Sequence, residues 1–137
     1  MNSQYSVAVH VLTLLDAAAG QISSEDIAGS VGVNPVVIRN VTGLLRRAGL
    51  LTTKRGVMGA QLTRPSSQIT LLEVYRAVLA PETVIKMHRH PNPACPVGAQ
   101  IQGVLSGVFA EAQHALEARL AQVRLCDIGA AVHLQTG

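Results

Sequence analysis

The stretch from Ser24 to Thr63 constrains this chain more than any other. Ile27 and Ala28 sit in a short helical window, Gly32 breaks it, and Asn34-Pro35 restarts it. Ile38, Val41 and Leu45 then recur at helical spacing. A small residue where two helices cross, a glycine at the turn and branched apolar residues on the second helix let two short helices pack at a steep angle. One face of the second helix is then left free. Directly behind comes Leu50-Leu51-Thr52-Thr53-Lys54-Arg55-Gly56-Val57-Met58-Gly59-Ala60-Gln61-Leu62-Thr63, two β-like runs around a glycine-punctuated tip that cations enter. Gly56 and Gly59 can both take positive φ there.

Charge is concentrated on the same stretch. Between Arg39 and Arg64 lie Arg39, Arg46, Arg47, Lys54, Arg55 and Arg64, with no acid among them. From Pro65 onward Arg76, Lys86, Arg89, Arg119 and Arg124 are balanced by Glu73, Glu82, Glu111, Glu117 and Asp127, so the net +3 belongs to the first half. A local basic stripe is what phosphate binding needs, although a solvated face would carry charge as well. Tyr5, Tyr75 and Phe109 are the only aromatic residues. Single strands are held on stacking platforms, so the composition favours duplex DNA. No apolar run approaches the ~18 residues of a membrane span. No cationic segment precedes the first apolar stretch, which His10 and Asp16 interrupt, so no signal peptide is expected. Two cysteines imply no disulfide framework, and the cytoplasm is the expected location.

The expected elements follow from periodicity and punctuation. A first helix runs from about Ser3 to Ala18, with Val7, Val11, Leu14, Leu15 and Ala18 on one stripe. Ser23 opens the second, with Asp26 three residues on as an acidic capping partner. Asn34 as N-cap and Pro35 at N1 open the third, and Gly49 follows its end. Its inner stripe is Ile38, Val41, Leu44, Leu45 and Ala48, and Val36, Val37, Arg39, Asn40, Gly43, Arg46 and Arg47 face outward. Val36 and Val37 suit thymine methyls, or pack on a neighbour, while Arg39 and Asn40 reach base edges. Lys54, Arg55 and Gly56 form the wing tip, where a side chain enters the minor groove. A fourth helix runs from Thr70 to Leu79, with Leu71, Val74, Tyr75 and Val78 inward.

A Pro-, His- and Asn-rich linker separates this unit from a long helix over about Val97 to Arg124. Ile101, Val104, Leu105, Val108, Phe109, Ala112, Leu116, Leu120 and Val123 form a seam at three- and four-residue steps. Some 26 residues span about 40 Å, more than the small unit can cover, and a second copy of the chain is the economical partner. Leu125 to Val132 reads as a short packing helix. The expected fold is thus mainly α with a small β-hairpin: a winged helix-turn-helix over 1–80, a linker over 81–97, and a dimerisation helix with a short C-terminal helix over 98–137.

No catalytic constellation stands out: there is no glycine-rich phosphate loop, nucleophile elbow or carboxylate pair, so no enzyme is expected. His88, His90 and Cys95 are acceptable zinc ligands in type, but H-x-H in a proline-rich loop has low specificity and no fourth ligand is evident. The loop then reads as one that packs on the long helix, with no metal assigned. Cys95 at a helix start is a candidate thiol sensor or a small buried hydrophobe. Cys126 reads as core.

The run Gly49-Leu50-Leu51-Thr52-Thr53-Lys54-Arg55-Gly56-Val57-Met58-Gly59-Ala60 resembles the wing of the Rrf2 family of bacterial winged-helix regulators. Ile69-Thr70-Leu71-Leu72-Glu73-Val74-Tyr75-Arg76-Ala77-Val78 resembles its next helix. Asn34-Pro35-Val36-Val37-Ile38-Arg39 and His90-Pro91-Asn92-Pro93-Ala94-Cys95-Pro96-Val97-Gly98 are similar to a YwnA-like branch of it. The resemblance covers nearly the whole chain. It implies a homodimer built on the long helix, with the third helix (Asn34 to Arg47) and the Arg55-Gly56 tip reading a palindromic site. Cluster-binding members carry three cysteines in the loop before the long helix, where this chain has Cys95 alone. An iron–sulfur cluster needs about four ligands, mostly thiolates, so no cluster is expected. The reading at this stage is a sequence-specific, homodimeric DNA-binding regulator that represses by occupying promoter DNA. The alternative is a dimeric effector- or protein-binding module on the same fold, responsive to thiols or metal, with weak or no DNA binding.

Overall fold

A computed structural model describes residues 3–19, 22–53, 59–79, 83, 85–88 and 91–136. The elements are α1 (Gln4–Ala17), α2 (Ser24–Val31), α3 (Pro35–Arg47), β1 (Leu51–Thr53), β2 (Ala60–Leu62), a 3-10 turn at Ser66–Gln68, α4 (Leu71–Leu79), α5 (Pro96–Ala121) and α6 (Leu125–Thr136). α1 is the central helix: it packs against α2, α3, α4, α6 and β2. Contact on several sides explains why its buried face is wider than the expected stripe. Ala8 and Leu12 are buried along with Val7, Val11 and Leu15, whereas Leu14 and Ala18 are half-buried.

The helix pair forms because its ends are specified locally. Ser23 Oγ accepts the Asp26 N–H at 3.1 Å, and Gly32 ends α2 at φ 78°. Asn34 Oδ1 accepts the Val36 N–H at 2.9 Å, with Pro35 at the first helical position. An N-cap of this type contributes roughly 0.5–2 kcal/mol. α3 closes in a Schellman motif. Gly49, at φ 80°, donates to the Arg46 carbonyl and Leu50 to the Leu45 carbonyl, each at 3.0 Å. Ala48, expected on the inner stripe, is exposed because it caps the helix beyond the last packed turn. Ile38, Val41 and Leu45 are fully buried, and Leu45→Ala should cost about 2–5 kcal/mol.

The hairpin is antiparallel, with Leu51 opposite Leu62, Thr52 opposite Gln61 and Thr53 opposite Ala60. Thr63 donates its N–H to the Leu50 carbonyl at 3.1 Å and its Oγ1–H to the Gly49 carbonyl at 2.6 Å. These bonds anchor the hairpin to the end of α3, so wing and helix are fixed relative to one another. Thr70 caps α4, accepting the Glu73 N–H at 3.2 Å. Val74, Tyr75 and Val78 are buried and Leu71 half-buried.

The C-terminal segment returns to the same core. The Leu71 N–H donates to the Val123 carbonyl at 2.9 Å and the Leu125 N–H to the Ile69 carbonyl at 2.8 Å. Leu125 is 1% exposed within the core, and α6 packs on α1 and the 3-10 turn. Cys126 beside it is half-buried. α5 differs from every other helix: none of its 26 residues is buried.

Candidate nucleic-acid interface

The free face of α3 follows from what its other face buries. With Ile38, Val41 and Leu45 turned to the core, Arg39, Asn40, Arg46 and Arg47 are exposed together with Asn34 and Pro35. Val36 stands out at 48% exposure at the start of the same face. Val37 does not: it is half-buried and packs against the core cluster, so it is not the open apolar contact expected for it. One residue of helix, about 100°, separates the two valines and turns the second inward. Gly43 keeps this face flat, and a Cβ there would lie 3.7 Å from the Arg47 guanidinium.

The basic stripe loses one member to the fold. Arg64 forms an ion pair with Glu73 and donates to the Gln68 carbonyl at 2.9 Å. That arginine therefore closes the 3-10 turn onto α4. The hydrogen bond from Arg64, ahead of the opposing burial, holds the Glu73 carboxyl below its usual pKa. Nothing in a nine-residue spacing across a loop marks such a pair beforehand. Gly59, at φ 85°, closes the described part of the wing. Lys54, Arg55 and Gly56, expected at its tip, lie outside the described residues. A cleft of about 420 Å³ runs along the wing base between Leu15, Asp16, Leu62 and Arg64.

The expected seam on α5 divides into two rows. Ile101, Leu105, Phe109, Leu116 and Leu120 are half-buried, while Val104, Val108 and Ala112 are exposed, Val104 at 65% and Val108 at 53%. Val97, at 67%, extends the exposed row. Val123 is half-buried beyond the helix end. On α6, Val132 is 49% exposed.

Cys95 occupies the N-cap of α5 and is exposed, not a buried hydrophobe. Asn92 shapes this corner: its Oδ1 accepts the Ala94 N–H at 3.0 Å and its carbonyl accepts the Cys95 N–H at 3.3 Å. A Cβ on Gly98 would collide with that carbonyl, so only glycine lets the loop close on the helix. No side-chain hydrogen bond caps this end of α5, yet the Gly98 and Val97 N–H groups approach the thiol and lower its pKa. His88 is exposed, and its carbonyl accepts from Gln102 Nε2 at 3.1 Å; His90 lies outside the described residues. Among the described residues, no three His, Cys, Asp or Glu side chains are grouped to hold a metal ion, and no helix is long and apolar enough to cross a membrane.

A family model named Rrf2, described as iron-dependent transcriptional regulator, matches residues 1–131. The chain is 45% identical over 128 residues to YwnA of Bacillus subtilis (strain 168), whose name describes an HTH-type transcriptional regulator; the match covers 93% of this chain and 96% of YwnA. It is similar at 40% identity to a crystal structure described as that of a DNA-binding protein, with TM-score 0.75, covering 92% of this chain and 98% of the other. A structure from Lactobacillus plantarum described as a transcriptional regulator superposes with TM-score 0.80 at 29% identity, over 97% and 91% of the two chains. The iron in the family description can be tested against the donors. The whole sequence holds two thiols, one exposed at the start of α5 and one half-buried in α6. That donor set does not fit an iron–sulfur cluster held by one chain.

Proposed function

The chain belongs to the Rrf2 family of transcriptional regulators, not of enzymes, and from that premise we propose that this DNA-binding regulator acts as a homodimeric repressor reading a palindromic operator. The observation that carries the reading is the outer face of α3, where Arg39, Asn40, Arg46 and Arg47 are exposed together without an acid. Arg39 and Asn40 read base edges in the major groove, and Val36 meets a thymine methyl. Asn34 and the open start of α3 face the backbone. Arg46, Arg47 and the wing residues Lys54, Arg55 and Gly56 hold phosphates and the adjoining minor groove. Residues 1–80 carry the reading unit, and α6 packs back onto it.

The exposed row of α5 meets the same row of a second copy. Ile101, Leu105, Phe109, Leu116 and Leu120 support it from behind, and Val104, Val108 and Ala112 make the contact. Two reading units related by a two-fold axis then enter successive major grooves about 34 Å apart. Occupancy of the promoter blocks transcription, and the cytoplasm is the location such a regulator requires.

The test is sedimentation with footprinting. Wild type should run at twice the chain mass at micromolar concentration and protect a palindrome selected from its genome. Val108→Glu would bury an unpaired carboxylate in the contact and should give monomer with an intact far-UV spectrum. A wild-type monomer that protects the palindrome refutes the dimer. A dimer that selects no DNA refutes the operator reading and favours the effector-binding module.

A further inference from the structure

α5 packs against α4 of the reading unit, and two polar ties join these helices. Gln113 Nε2 donates to Tyr75 Oη at 2.8 Å. Arg76 of α4 pairs with Glu117 at 3.6 Å, but its side chain is 62% exposed, and such a pair adds little. The Gln113 bond is partly buried and directional, so it is the tie able to set an orientation.

Its acceptor is held in place. Tyr75 is 4% exposed, and its ring meets that of Tyr5 edge-on, with centroids 5.5 Å apart. Tyr5 Oη in turn donates to the Leu71 carbonyl at 2.7 Å. A continuous set of contacts therefore runs from α1 through α4 to one amide on α5. Apolar contact, such as that of the half-buried side chains of α5, is non-directional and tolerates rolling and tilting.

Small tilts matter at this length. Gln113 lies 17 residues from the start of α5, about 25 Å of helix. A tilt of about 10° there moves the far end by roughly 4 Å, more than the ~3.4 Å between successive base pairs. We propose that Gln113 is a positioning residue: by donating to Tyr75 Oη it fixes the angle between α5 and the reading unit, and so sets the half-site spacing that the dimer accepts. The inference rests on the dimeric reading above.

The probe is the half-site selected from random duplex DNA, placed twice at separations increased by one base pair at a time, and bound by the full chain. Wild type should show one optimum. Gln113→Met and Tyr75→Phe should each cut the penalty for a one-base-pair error about fivefold, the worth of one neutral hydrogen bond, while affinity for a single half-site stays the same. Tyr5→Phe is the control. It removes a hydroxyl from the same cluster without touching α5, so it should lower the melting temperature and keep the optimum. An unchanged spacing profile in both α5-tie variants overturns the proposal, as does a Tyr5→Phe profile flattened to the same degree. A wild type that binds paired and single half-sites equally refutes the dimeric reading itself, and this appears before any variant is compared.

Discussion

The salt dependence of DNA binding separates cations that face phosphate from one that does not. Six cations lie between Arg39 and Arg64, but Arg64 is held by Glu73 and by the Gln68 carbonyl. If Arg46, Arg47, Lys54 and Arg55 each meet one phosphate in both subunits, about eight are neutralised and log affinity falls with log salt at a slope of about −7. Arg46→Ala removes one contact per subunit and should bring the slope to roughly −5. Over a fourfold rise in salt, the affinity gap between wild type and that variant then narrows about 12-fold. Arg64→Gln should leave the slope at the wild-type value and appear instead as lost stability. The assay is fluorescence anisotropy on a labelled operator duplex across salt concentrations, with thermal melts of the free proteins. A slope that falls by about 2 in Arg64→Gln, or stays unchanged in Arg46→Ala, refutes the assignment of these side chains.

Three further outcomes are expected. Arg39→Ala and Asn40→Ala should each relax base preference at one operator position per half-site, by about 1–3 kcal/mol for a bidentate contact, and an unchanged ranking of operator variants would remove α3 as the reader. Cys95 should alkylate faster than Cys126 at neutral pH, because the Gly98 and Val97 N–H groups favour its thiolate, with a pH midpoint below the usual thiol range; equal rates for the two thiols would refute this. Glu73 has a depressed folded pKa, so its contribution is present above the ordinary glutamate value of about 4.3 and is lost as pH falls through the folded one. With both partners more than a third exposed, the effect stays below about 1 kcal/mol: urea midpoints of wild type and Glu73→Gln should converge on acidification, and a constant gap would count against it.

What could be read in the sequence was whatever is specified within one turn of chain. Ser23, Gly32, Asn34 and Gly49 each act on neighbours two to four residues away and cap or end a helix where their types require, and Pro35 opens α3. The contacts that escaped reading join distant residues. Tyr5 bonds a carbonyl 66 residues on, and Gln113 bonds a hydroxyl 38 residues back. Neither bond leaves a periodic trace, since a tyrosine on an apolar stripe reads as core whether or not its hydroxyl is engaged. Arg64 illustrates the opposite error. Its charge is plain in the sequence, but the direction of a long side chain is decided by the partner the fold brings to it. Val37 escaped for a third reason: it lies four residues before Val41, so with the inner stripe where it was expected this valine falls beside it and packs.

The division of the α5 seam shows why helical period alone could not assign its partners. At about 100° per residue, Val97, Val104, Val108 and Ala115 fall within roughly 40° of one another. Leu105, Phe109, Leu116 and Leu120 fall within about 60°, centred some 110° further round, with Ile101 and the exposed Ala112 between the groups. The whole stripe is about 160° wide, whereas a helix facing one core needs little more than about 100°. Gln113 and Glu117 continue the second row toward Tyr75 and Arg76, which turns that row to α4. The first row is what remains, and it is the one left exposed. This also decides which charge substitution isolates the contact between copies. Leu116→Glu would place a carboxylate in the row against α4 and would loosen the monomer as well. Val108→Glu enters only the open row, where the free chain tolerates a charge and the paired chain does not.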